Sequence, residues 1–292
     1  MSDSVDDVAI GYAGLAWRRF RRDRMAVAGL ALLAVVALIA VIAPTVAEGV
    51  FGLDPYRQVL TQRYHPPEPG HLLGTDELGR DMLARLLLGG RVSLAFGLVA
   101  GGVALLVGVP VGLVSGYYRG RVDDATNAVI GTLQTIPTLF LLIMLSVTFR
   151  PPFLVLAVFF GLIGWTGIAR QVRGVALSLR ERDFLEAARA LGAGEAHVIG
   201  RHMLPNVASV VLVLGSFTIP SAILGEAGLS FLGFGVQVPT PSWGNLLERS
   251  LDNVTRAPWL IAAPGAMIFL TVLALFLVAD GLRDALDPRQ ES

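Results

Sequence analysis

Two residue types are missing from this 292-residue chain. It has no cysteine, which excludes a disulfide framework, a thiol nucleophile and a thiolate metal site. It also has no lysine, and all 23 basic residues are arginine. A P-loop needs its lysine, so the chain is not its own Walker-type ATPase. Schiff-base chemistry on a lysine is excluded too. Net charge is also lacking, with 23 basic residues against 23 acids. No nucleic-acid or acidic partner is implied. The four histidines are scattered. His65 and His71 share one polar segment, while His197 and His202 are five apart and off a common face of an α-helix. No metal site within the chain is expected.

Apolar residues are plentiful. They make up 54% of the chain, and mean hydropathy is +0.65. That is the composition of a membrane protein. Six runs lack Asp, Glu, Lys and Arg: 25–47, 92–116, 125–147, 151–169, 206–225 and 257–279. Each is near the roughly 20 residues a helix needs to cross a bilayer. Only helices satisfy the backbone over such runs, so the expected class is an all-α integral membrane protein with six transmembrane helices. The first run follows Arg18, Arg19, Arg21, Arg22 and Arg24, as a secretory signal would, and Thr45-Val46-Ala47 is a cleavage-like triplet. The run is longer than an h-region of about 7–15 residues, which favours an uncleaved span.

The expected organisation is a cytoplasmic segment 1–24, a first span 25–47, an external loop 48–91, a five-helix core 92–280 and a tail 281–292. The core includes a polar cytoplasmic loop at 171–205. With both termini inside, 15 arginines are cytoplasmic and 8 external, the arrangement that the positive-inside bias favours. No internal repeat is visible. Pro110 and Pro137 lie inside the second and third spans, where each is expected to kink its helix. Gly108, Gly112 and Gly116 form a small-residue face for close helix packing.

Residues 178–205 are the most informative stretch. Ser178-Leu-Arg-Glu181 fits a capping box that would start a helix. Phe184, Ala188 and Leu191 fall on one face. Gly192 and Gly194 permit a left-handed turn. Pro205 is expected to end a second helix, with Leu204 extended. The bland reading is a solvated loop helix; the sharper one is a docking segment for a cytoplasmic partner. Toward the other side, Leu78, Met82 and Leu86 outline an amphipathic helix expected to lie at the interface before the second span. Glu226 ends an uncharged run. It is read either as an interfacial acid or as a pore-lining or permease-pairing residue.

Glu186-Ala-Ala188, Gly192 and Leu204-Pro205 together resemble the EAA loop of ABC importer permeases. Three further stretches resemble the second permease of dipeptide, oligopeptide and nickel importers. These are Leu73-Gly-Thr-Asp-x-x-Gly-Arg-Asp81 with Arg91-x-Ser-Leu94, Glu226 to Gly235 with Pro239 to Gly244, and Asp280 to Pro288. The likeness runs from about residue 15 to 289, and the unmatched first 14 residues are expected to be disordered. It implies a type I importer permease in a bacterial cell membrane. Glu186, Ala187, Ala188, Leu191, Gly192, Leu204 and Pro205 would meet the ATPase; Pro137 and Glu226 are candidates for the pathway or permease interface. The implied partners are a homologous second permease, two ATPase subunits or domains, an extracytoplasmic binding protein and membrane lipid. ATP and Mg²⁺ would belong to the ATPases, with no cofactor and no catalysis in this chain. The solute stays open between peptides, nickel, glutathione and another small molecule. A secondary transporter would place coupling acids in mid-span, and an intramembrane enzyme would pair a serine with His or Asp at depth. Neither pattern is evident.

Overall fold

The computed structural model describes residues 12–248 and 250–286. Helix α1 (Tyr12–Arg22) runs to α2 (Arg24–Phe51), where Asp23 accepts hydrogen bonds from the Met25 and Ala26 amides and caps the start. A looped segment leads to α3 (Met82–Tyr118), α4 (Gly120–Thr135), α5 (Thr138–Phe149) and α6 (Phe153–Arg180). The short α7 (Asp183–Ala190) precedes α8 (Glu195–Phe231), and α9 (Trp259–Leu286) completes the described part. Among the described residues there are isolated β-bridges but no strand.

Five helices (α2, α3, α6, α8 and α9) are long and apolar enough to span a bilayer. The sixth span is a broken one. Helices α4 and α5 meet at a bend of 72°. Pro137 lacks an amide hydrogen, and Ile136 before it is extended, so the expected kink is a complete break. Pro110, in contrast, is carried within the continuous α3.

The small-residue face on α3 does pack closely. Helices α3 and α6 run parallel, with Gly108 against Ile168, Gly112 against Ala169 and Val172, and Gly116 against Ala176. A Cβ on Gly112 would lie 2.5 Å from the Ala169 carbonyl oxygen, so the backbones touch. Helix α8 crosses α3 the opposite way, with Ile223 at Gly97 and Ile219 at Gly101. Helix α2 lies against α9, and the buried Phe20 of α1 packs at the same end as Ala26, Gly281 and Ala285.

The expected interfacial helix is different in the structure. Leu78 lies in a turn, α3 begins at Met82 and continues straight into the span, and Asp81 caps it through the Ala84 amide. Arg80 and Arg85 are buried, because Asp76 lies between them. Helix α1 likewise starts at Tyr12, inside the stretch expected to be disordered, while residues 1–11 lie outside the described ones. So do Asp287 and Pro288 of the C-terminal motif.

Candidate functional site

Three features stand out: an exposed helical loop at one end of the bundle, a groove along the bundle, and a buried polar knot at the other end. At the first end, α6 does not stop where a capping box would begin a new helix. Ser178 lies inside α6 and donates its hydroxyl to the Val175 carbonyl, while Glu181 follows the helix and accepts from Arg119 at 2.6 Å. That guanidinium holds the Glu181 carboxyl below its ordinary pKa. The burial of Val172 and Ala176 draws the helix on past the pattern. The loop proper then starts at Asp183.

Helix α7 is amphipathic in a useful sense. Leu185 is wholly buried, whereas Glu186 and Ala187 are exposed, as are Phe184 and Leu191, the latter at 89%. Ala188 is half-buried. The helix ends in a Schellman turn: Gly192 has φ +85°, its amide donates to the Arg189 carbonyl, and the Ala193 amide donates to Ala188. Gly194 is different; its φ is −67°, and it starts α8 in an extended conformation. The expected stop at Pro205 does not occur. Leu204 is helical, and α8 runs from Glu195 into the span through a π-helical stretch at Val198–Met203. The proline falls in the first turn after that stretch, where a missing amide is tolerated. The wider winding also brings the His197 and His202 rings within 5.6 Å, although they are five residues apart.

The exposed loop is fastened to the body beneath it. Leu185, Val198, Met203 and Val207 pack with Leu113, Tyr117, Val172 and Ala176 in one apolar cluster. The Arg189 guanidinium stands 5.4 Å over the Tyr117 ring. The Tyr118 hydroxyl donates to Glu195 at 2.8 Å. None of these anchors was singled out from sequence. Two adjacent tyrosines at the end of a span were the available signal. Burying Leu185 alone contributes about 2 kcal/mol.

A groove of about 440 Å³ runs between α3, α6, α8 and the α4–α5 break. Its polar lining includes Gln134, Thr138, Gln171, Thr218 and Ser221, with Phe160 and Phe217 as apolar walls. Pro137 stands between two of these residues, so the break shapes the groove. Gln134 is held from both ends. It donates to Thr166 at 3.2 Å and accepts from Arg170 at 2.5 Å. Where α4 begins, the Asp123 carboxylate accepts from Ser115 at 2.6 Å, Asn127 at 2.9 Å and both Nε and Nη2 of Arg173. The broken helix is thus tied to α3 and α6 by hydrogen bonds.

Glu226 does not line that groove. It is completely buried within the chain. Its Oε1 accepts hydroxyls from Ser230 at 2.6 Å and Ser242 at 2.7 Å, and Oε2 faces Ser93 at 3.5 Å. Each serine oxygen in turn accepts a backbone amide: Val236 on Ser230, Asn245 on Ser242 and Trp243 on Ser93. The carboxyl is therefore the hub that folds segment 236–245 onto α3 and α8. Trp243 completes the closure, buried with its indole donating to the Leu86 carbonyl at 3.0 Å.

A bundle of membrane-spanning helices with a groove of mixed polar and apolar lining and a fastened, exposed loop is the build of a transport permease subunit. The family described as "Binding-protein-dependent transport system inner membrane component" matches residues 108–292. The "N-terminal TM domain of oligopeptide transport permease C" matches residues 11–67. The dipeptide transport system permease protein DppC of Bacillus subtilis is 37% identical over 292 residues, which cover 99% of this chain and 89% of that protein. The oligopeptide transport system permease protein OppC of Escherichia coli K12 is 40% identical over 274 residues, covering 94% and 90%. The glutathione transport system permease protein GsiD of Pectobacterium atrosepticum is 36% identical over 280 residues, covering 94% and 91%. The chain belongs to the binding-protein-dependent ABC transport permeases, multi-pass components of the inner membrane.

Proposed function

We propose that this chain is one permease subunit of an ATP-driven importer for di- and oligopeptides. It supplies half of the translocation pathway and one coupling loop, and it carries out no chemistry itself. A homologous second permease faces the groove at the α4–α5 break, an extracytoplasmic binding protein delivers the solute, and two ATPase subunits bind ATP and Mg²⁺. Both termini are cytoplasmic, which puts α7 on the side where ATP is found.

The carrying observation is the exposed surface of α7, with Phe184, Glu186, Ala187 and Leu191 outward and Leu185 locked inward. An apolar, low-relief helix face on a fastened loop is suited to lie in a groove of a partner and move with it. Closure of two ATPases would push such loops together and switch the bundle between two packed arrangements. Leu204 and Pro205 are exposed at the start of the span and are assigned to the same ATPase contact. Glutathione is the second reading for the solute, because the glutathione permease relative is nearly as similar as the peptide ones.

The test begins with a mild-detergent pull-down of the tagged chain, followed by reconstitution of what is recovered. A second six-span permease, a Walker-motif ATPase and ATP-dependent peptide uptake are expected. A cysteine placed at Leu191 is expected to react only from the cytoplasmic side. Peptide uptake by this chain alone, without ATP, would overturn the importer reading in favour of a secondary transporter.

A further inference from the structure

At the end of the bundle opposite α7 lies a second cavity of about 420 Å³, between the turn before α3 and the loop after α8. Its volume falls within the range of small-molecule sites. Arg80 and Arg85 line it, and their charges are treated very differently. Arg80 is held at two nitrogens: Nε bonds Asp76 at 2.6 Å and Nη2 bonds Glu77 at 2.9 Å. Arg85 is 2% exposed, and its Nε and Nη1 make no hydrogen bond within the chain. Its Nε is 3.3 Å from the Asp76 carboxylate, near enough for charge but not bonded. That carboxylate is already occupied by the Leu78 and Arg80 amides and by the Arg80 side chain.

A buried guanidinium with donors unfilled is costly unless something fills them. A carboxylate fits best, since arginine binds it by charge-assisted, often paired, hydrogen bonds. The exposed Asp252 also lines the cavity and supplies the opposite charge. A ligand with a carboxylate at one end and an ammonium at the other matches both. The geometry points to a subsite on this subunit for the zwitterionic form of a short peptide, its carboxylate on Arg85 and its ammonium toward Asp252. This deepens the importer reading and rests on it.

The test titrates the full-length chain, in lipid nanodiscs, with alanyl-alanine, its C-terminal amide, its N-acetyl form and acetate. Saturable binding of the free dipeptide is expected. Loss of one charge-assisted contact is worth about tenfold, so the amide is expected to bind at least that much more weakly. Arg85→Met should close the gap between acid and amide. Asp252→Asn should close the gap between free and acetylated dipeptide, and Asp252→Arg should weaken the free dipeptide further. Both Asp252 variants alter an exposed side chain, so they carry the test if Arg85→Met fails to fold. No saturable binding in the millimolar range, equal binding of acid and amide, or Asp252 variants without effect would overturn the subsite. So would acetate competing as well as the dipeptide, which would leave a plain anion site. ATP-driven uptake by the assembled transporter is measured separately. Absent uptake with wild-type dipeptide binding intact counts against the importer, and a wild-type chain that fails to discriminate acid from amide while uptake is intact counts against the subsite.

Discussion

Replacing Glu226 separates a structural hub from a solute contact. In Glu226→Ala, the Ser230 and Ser242 hydroxyls lose acceptors at 2.6 and 2.7 Å, and the weaker Ser93 contact at 3.5 Å goes as well. A buried donor left unmade costs about 1–3 kcal/mol. Ser230 can turn its hydroxyl to the residue 226 carbonyl one turn back, which recovers part of the loss. The net destabilisation expected is therefore about 2–4 kcal/mol. Glu226→Gln keeps an oxygen at the Oε1 position for both strong hydroxyls. Its amide nitrogen faces Ser93, whose oxygen accepts from Trp243 and has capacity for one more donor. The expected cost of Gln is about 1 kcal/mol or less.

Thermal unfolding in nanodiscs, followed by tryptophan emission, should rank wild type, Gln and Ala in that order, with Gln close to wild type. Trp243 sits in the knot and reports on it directly. Because the chain has no cysteine, a single Val236→Cys reporter, at a position buried in the intact knot, should label much faster in the Ala background than in the Gln background. A Gln variant as damaged as Ala would refute the hub, since it would mean that the negative charge itself is required. An Ala variant as stable as wild type would refute it from the other side.

Gly192→Asp should abolish ATP-driven uptake at matched expression, because it adds a charge beside the α7 face at a left-handed turn. Gly192→Asn, which adopts that conformation as Asp does but carries no charge, should retain much more uptake. Gly112→Ala should destabilise the bundle by about 1–3 kcal/mol, since its Cβ would enter the α6 backbone, whereas Gly102→Ala meets no atom within 4 Å and should be neutral in the same melting assay. Tyr117→Ala should speed hydrogen exchange across residues 183–203 while leaving α3 above Gly108 unchanged, because it removes the ring under Arg189 and a wall of the Leu185 cluster.

Span number and the glycine seam of α3 were legible because each depends on one property of one segment: an uncharged run of sufficient length, or small residues at helical spacing. The capping box misled because Ser-x-x-Glu reads alike at either end of a helix. What keeps α6 intact there is burial of Val172 and Ala176, a tertiary fact. Pro205 misled for a related reason: a π-helical stretch before it changes which amides need partners. The Glu226 knot was hidden because Ser93, Ser230 and Ser242 come from three separate stretches. The family likeness marked those stretches without saying that they meet.

The distribution of tight and loose packing bears on how a push at α7 would travel. Helices α3 and α6 touch backbone to backbone through Gly108, Gly112, Gly116 and Gly161, so they have no slack and move as one body. The loop is fastened to that body at Tyr117 and Tyr118 rather than to the broken pair. Residues 131–140, around the break, are exposed in the chain alone and are held to the body chiefly by polar contacts such as Gln134 with Thr166 and Arg170. Hydrogen bonds of that kind are exchanged at small net cost, whereas a glycine seam cannot be partly opened. A displacement of α7 would therefore carry α3 and α6 together. The change in shape would fall at the Pro137 break, beside the groove proposed as half of the translocation pathway.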